Sequence, residues 1–90
     1  MKKLKELINT VEQEKQIQEY LLGCAGGISM GGRVEVHSSR HYGTIEFSKY
    51  FTQQEKNELA ALFEMFAKRR AEAINPEVEK LKAITELLNN

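Results

Sequence analysis

The chain has 90 residues, 13 basic against 13 acidic, with one cysteine and one proline. This length suits a single small domain, 1–90, whose core is marginal without a partner chain, because it buries only about 60–65% of its unfolded surface. Cys24 has no second cysteine in the chain, which excludes an internal disulfide and favours a reducing, cytoplasmic location. Because acidic and basic residues balance, the chain lacks the net positive charge that attracts nucleic acid non-specifically. No apolar run is long enough to cross a membrane.

The first segment, 2–22, is predicted to be a helix. Leu4 and Leu7 begin an apolar stripe at helical spacing, but Glu14 occupies a position that should face a core. The stripe then returns on a shifted face, which favours two different contacts, one with the parent domain and one with a second chain. A long, partly solvated helix is the alternative. We predict that this helix ends just before Gly23, because glycine is favoured at the position that follows a helix.

The next segment alternates with a period of two residues and predicts a β-hairpin. Val34 and Val36 share one face of the first strand, and Ile45 and Phe47 share one face of the second. This pattern predicts that Val36 lies opposite Ile45. One face is then apolar and the other polar, as in a sheet packed on helices.

The same register places Glu35 directly opposite Glu46 on the polar face. Like charges in that arrangement destabilise a sheet by a few tenths to about 1 kcal/mol, so we expect either a compensating cation or side chains that splay into water. The candidate cations lie in the same hairpin or in another copy of the chain: Arg33, Arg40, Lys68, Arg69 and Arg70.

Segment 23–32 holds five of the six glycines and has two interpretations. Ile28 and Met30 alternate, so the segment predicts a third strand joined to the hairpin by a three-residue turn, 31–33, which keeps the apolar residues on one face. The alternative is a glycine-rich loop whose amides bind a phosphate. Its position after a helix end argues against the usual phosphate loops, which precede a helix.

The C-terminal part is predicted to be helical. Thr52 and Glu55 form a capping box that opens a helix, and its apolar stripe continues to Ile74. Pro76 costs about 3 kcal/mol inside a helix but little in its first turn, where Asn75 is a good N-cap. We therefore predict a second C-terminal helix from Pro76, with one continuous kinked helix as the alternative.

The predicted fold class is α+β. It has one N-terminal helix, a short antiparallel meander of two or three strands, and two C-terminal helices, or one kinked helix, packed on the apolar face of the sheet. The unpaired edges of such a short meander and the coiled-coil-like spacing of the last helix predict a homo-oligomer.

The sequence predicts a binding protein rather than an enzyme, because no nucleophile, base and orienting group converge by spacing. No metal or cofactor is expected, since His37 and His41 have zinc-like spacing but lack further ligands. The candidate binding residues are glycines of the loop together with polar and cationic side chains. They are Gly26, Gly27, Gly31, Gly32, Arg33, Arg40, His41, Tyr42, Arg69 and Arg70.

The expected function is that of a small non-catalytic homo-oligomer that sequesters a phosphorylated small molecule or nucleotide at this Gly/Arg loop. The first alternative is a protein–protein inhibitor or adaptor of the mobile-element type, which binds its protein partner by the hairpin edge or a helix groove. The second is a nucleic-acid-binding accessory protein, whose affinity would fall steeply with salt.

Overall fold

The computed structural model describes residues 2–89 as two long antiparallel helices with a β-hairpin between them. The elements in chain order are helix α1 (Lys2–Ser29), strands β1 (Glu35–Ser38) and β2 (Gly43–Glu46), a 3-10 turn (Phe47–Lys49) and helix α2 (Gln53–Asn89). The molecule measures 56 × 28 × 17 Å. At about 1.5 Å per residue, α2 alone spans the long dimension.

This architecture corrects the predicted α+β arrangement of a helix, a sheet and two helices. Segment 23–29 continues α1 and forms no strand, so the sheet has two strands within the described residues. The helix end predicted at Gly23 is therefore wrong. The two predicted C-terminal helices are a single helix, α2, which runs through Pro76.

Burial against α2 explains why the glycine-rich end of α1 is helical. Ala25 and Ile28 are buried and cluster with Val34 and Ala60. A glycine inside a helix costs about 1 kcal/mol relative to alanine. Burial of Ala25 and Ile28 against α2 offsets that cost, and an extended strand would lose this packing.

The glycines that end α1 form a Schellman motif. Gly31 has a φ of 86°, and its N–H donates to the carbonyl of Ile28 at 3.2 Å. The N–H of Gly32 donates to the carbonyl of Gly27 at 2.7 Å. A left-handed residue just past the helix end with these two hydrogen bonds defines the motif, so Gly31 holds the position predicted for Gly23.

Helix α2 continues through Pro76 because both sides of it pack on α1. Ile74 lies beside Glu14, and Ile84 lies beside Leu4 and Leu7. A proline removes one helical hydrogen bond, but a break here would separate one of these contacts from α1. Tertiary packing therefore outweighs the local preference for a helix start.

The hairpin register and the capping box follow their predictions. Val36 pairs with Ile45 in the antiparallel ladder, so the predicted register is confirmed. Phe47, predicted to lie in the second strand, instead begins the 3-10 turn. Val36 is 51% exposed, so the predicted burial of the apolar sheet face is wrong at this residue. The backbone N–H of Glu55 donates to Thr52 Oγ1 at 3.1 Å, and Glu55 Oε1 accepts from the Thr52 N–H at 2.9 Å. The capping box is therefore confirmed as the start of α2.

The two helices meet along a heptad seam in which three of the buried residues are alanines. No large side chain is fully buried in the part of the chain that the structure describes. Spacings of three and four residues alternate along both helices, as in a coiled coil. The buried seam residues are Val11, Ala25, Ile28, Ala60 and Ala67. The interior of a single chain is consequently thin.

Candidate binding surface

The backbone amides at the end of the glycine-rich segment form the hydrogen bonds that terminate α1. Gly26 and Gly27 lie in the last turns of α1, and the carbonyl of Gly26 accepts from Met30 N–H at 3.0 Å. The amides of Gly31 and Gly32 also donate to carbonyls of this helix end. These three donors are thus already used, and the structure shows no cradle of outward-facing amides at this point.

Arg33 is held by the polar face of the hairpin. Its Nε lies 3.1 Å from Glu46 Oε1 and 3.7 Å from Glu35 Oε1. Ser48 Oγ donates to the same Glu46 carboxylate at 3.1 Å, and Lys49 Nζ lies 3.5 Å from it. The two opposed carboxylates are confirmed by the ladder, and Arg33 is the compensating cation.

These contacts shift the pKa values of both partners. The pKa of Glu46 is lowered to about 2. The hydrogen bond from Arg33 is the largest cause, partial burial opposes it, and the hydrogen bond from Ser48 and the charges of Arg33 and Lys49 also contribute to the lowering. The hydrogen bond and charge of Glu46, with the charge of Glu35, raise the pKa of Arg33. Glu46 is therefore ionised at neutral pH, and much of the charge of Arg33 is neutralised within the hairpin.

The remaining candidate residues fall into two separate groups. Arg40, His41 and Tyr42 lie in the exposed turn between the strands, where the two rings are 6.0 Å apart. Arg69 and Arg70 lie in the middle of α2, and Arg70 binds Glu14 of α1. Within one chain the structure does not bring the second group to the hairpin.

The two histidines have no metal-like surroundings. His37 Nδ1 lies 3.0 Å from Thr44 Oγ1 on the neighbouring strand. Residues 2–89 contain no group of three or more histidine, cysteine, aspartate or glutamate side chains that is able to hold a metal ion. Cys24 is exposed.

An apolar groove beside β1 is a feature that the sequence analysis missed. It has a cavity volume of about 290 Å³, and Cys24, Ile28, Leu59 and Phe63 are among its lining residues. The outer edge of β1 has no strand partner in the described range. The groove depends on the helical form of segment 23–29, which the sequence had assigned to a strand.

A second apolar surface lies on α2, and we call it the outer stripe. It consists of Leu59, Leu62, Met65 and Phe66; Leu62 follows Leu59 by three residues, and Met65 and Phe66 follow Leu62 by three and four. Leu62 and Met65 are each 39% exposed, and Phe66 is 37% exposed. Large side chains in this repeated spacing form a continuous apolar face along a helix.

Known proteins do not identify the function of this chain. No family model, no curated protein and no solved structure matches it. Neither helix in the described range is both long and apolar enough to cross a bilayer. Functional assignment therefore depends on the surfaces described above.

Proposed function

We propose that the protein is a non-catalytic, homo-oligomeric binding protein, in which the helix pair assembles with other copies and the hairpin end carries the binding surface. One observation carries this proposal. The chain exposes 7291 Å², whereas a compact monomer of 10.3 kDa exposes about 5,400 Å². The difference, roughly 1,900 Å², is surface that a partner chain is suited to cover.

The shape and the interior support the same proposal. The radius of gyration is 17.9 Å, while a compact domain of this length has about 12 Å. Three of the six buried residues in the described range are alanines, while Leu62 and Phe66 remain more than a third exposed. Packing helix pairs against each other buries such side chains, as in four-helix bundles.

The mass of the full chain in solution tests this proposal. We expect sedimentation equilibrium and light scattering at micromolar concentration to give at least twice 10.3 kDa. The melting temperature should also rise with protein concentration, because association stabilises the folded chain by mass action. A single-chain mass over the whole concentration range would contradict the proposal.

A protein inhibitor or adaptor is the second candidate function, and the groove beside β1 favours it. An extended peptide can add a strand to the free edge of β1 and place alternate side chains in a groove. Peptides selected from a display library should lose binding when Cys24, which lines the groove, carries a bulky maleimide. The same label at Tyr42→Cys in a Cys24→Ser background should leave binding intact, because Tyr42 lies in the exposed turn.

The two ligands that the sequence predicted, a phosphorylated small molecule or nucleotide and a nucleic acid, have less support in the geometry. The amides of Gly31 and Gly32 and the guanidinium of Arg33 already have partners. Phosphate binding stays a prediction, and a rise in melting temperature with nucleotides would support it. Nucleic-acid binding is tested by retention on DNA that falls steeply with salt.

A further inference from the structure

We propose that the outer stripe of α2 pairs with the outer stripe of a second copy in antiparallel orientation. This inference rests on the proposed homo-oligomer, since it names the surface by which the oligomer forms. The occupant is a second copy because the stripe and its flanking charges are complementary to themselves when α2 is reversed.

Two adjacent apolar rows on α2 are the first observation. One row forms the seam with α1 and contains Ala60, Phe63 and Ala67. The other begins one position earlier with Leu59 and continues at helical spacing. A helix with one partner needs only two of every seven positions apolar, so the second row indicates a further helix.

The outer stripe is fixed in place rather than loosely attached. The Phe66 ring packs edge-on against the Phe63 ring, with centroids 6.5 Å apart, and Leu59 packs on the buried cluster. Leu59 and Leu62 also line a shallow cavity beside Phe51. The stripe is therefore preformed, and pairing requires little reordering of its side chains.

Opposite charges flank the stripe along α2. Glu58 precedes it, and Lys68 and Arg69 follow it. Neither cation forms an ion pair within residues 2–89. When two copies of α2 run antiparallel, the acidic end of each stripe meets the basic end of the other. The same patch is then used by both copies, which is the property of a two-fold, isologous interface.

The exposed area is sufficient for a stable dimer. A standard interface takes about 800 Å² from each partner. The chain exposes roughly 1,900 Å² more than a compact monomer of its mass. A two-fold interface along the outer stripe therefore fits within the excess, and it shares Leu59 with the wall of the β1 groove.

Glutamate substitutions test the position of the interface. We expect Leu62→Glu and Phe66→Glu to reduce the wild-type mass to that of one 10.3 kDa chain, while the circular dichroism spectrum keeps its helical form. Leu22→Glu is the matched control, because Leu22 is a 52% exposed apolar residue of α1. It should keep the wild-type mass.

The outcomes separate this inference from the proposed function. A wild-type chain that is already monomeric overturns both. An oligomeric wild type whose mass persists in Leu62→Glu and Phe66→Glu overturns the stripe alone, and so does loss of assembly in Leu22→Glu.

Charge reversal tests the antiparallel orientation. Glu58→Lys and Arg69→Glu should each raise the dimer dissociation constant by about fivefold, because each replaces two exposed attractions with two repulsions. The double variant should restore the wild-type constant in sedimentation measurements at low salt. Failure of the double variant to restore it would overturn the antiparallel pairing.

Discussion

Arg70 binds Glu14 through two hydrogen bonds that join the middles of the two helices. Arg70 Nη2 lies 2.8 Å from Glu14 Oε1, and Arg70 Nε lies 3.0 Å from Glu14 Oε2. Glu14 occupies the heptad position where α1 should be apolar, so this pair satisfies a carboxylate in the seam. It also explains why the apolar stripe of α1 lapses at that point.

The first prediction concerns this pair. In a double-mutant cycle of Glu14→Ala and Arg70→Ala we expect a coupling free energy of about 1 kcal/mol, because the ion pair is bidentate and partly shielded from water. Urea unfolding monitored by circular dichroism measures it. The Lys82–Glu79 pair, more exposed and 3.7 Å apart, is the control and should give less than about 0.5 kcal/mol. Equal coupling in the two pairs would contradict the prediction.

The second prediction is an acid-sensitive contribution from Glu46. Its pKa of about 2 in the folded chain lies below its ordinary value of 4.5. The stability it contributes is therefore fully present above pH 4.5 and is lost as the pH falls from there through about 2.

Nuclear magnetic resonance titration of the Glu46 carboxyl carbon measures this pKa directly. Arg33→Met should raise the pKa, because the hydrogen bond from Arg33 is the largest cause of the shift. Glu46→Gln should flatten the acid side of a plot of melting temperature against pH. An unchanged Glu46 pKa in Arg33→Met would refute this origin of the shift.

The third prediction concerns the start of α2. Thr52→Ala should lower the free energy of unfolding by about 1 kcal/mol, since it removes the side-chain acceptor for the Glu55 amide. Thr85→Ala is the control, because Thr85 Oγ1 only donates back to the Leu81 carbonyl within the helix. Urea unfolding should show no loss for that variant, and similar losses in both would argue against the cap.

The fourth prediction separates the glycines by their surroundings. Gly23→Ala should raise the free energy of unfolding by about 0.5–1 kcal/mol, because the site is helical and a Cβ there meets nothing within 4 Å. Gly32→Ala should lower it by about 1 kcal/mol or more, since its Cβ would lie 2.7 Å from the Gly27 carbonyl oxygen.

Thermal and urea unfolding of the two variants give the comparison. The opposite signs follow if α1 continues past Gly23 and ends at Ser29, before the Gly31–Gly32 turn. A loss of stability in Gly23→Ala would instead indicate that the helix ends where the sequence alone suggested.

Local patterns predicted the parts of the molecule in which neighbouring residues decide the outcome. The alternation around Val36 and Ile45 predicted the hairpin register, because it places the apolar residues of both strands on one face. Thr52 and Glu55 marked the start of α2 through hydrogen bonds that span three residues. The opposed Glu35 and Glu46 left two alternatives, a compensating cation or side chains that splay into water, and Arg33 supplies the cation.

Patterns failed wherever a distant contact changed the local balance. Segment 23–29 carries both strand-like alternation and helix-breaking glycines, yet packing of Ala25 and Ile28 near Ala60 makes it helical. The groove beside β1 could not be predicted, because it exists only when that segment is a helix. The sequence predicted that Arg70 binds a ligand, because no local sequence pattern indicates that Glu14 of the other helix lies beside it.

The sequence by itself determined that this chain has a β-hairpin of fixed register and a capped C-terminal helix. Tertiary structure alone decided where α1 ends, that α2 passes through Pro76, and which charges pair across the seam. The physical reason is the size of the competing terms. A helical glycine or an internal proline costs about 1–3 kcal/mol, and only contacts between residues far apart in the chain supply enough packing to offset that cost.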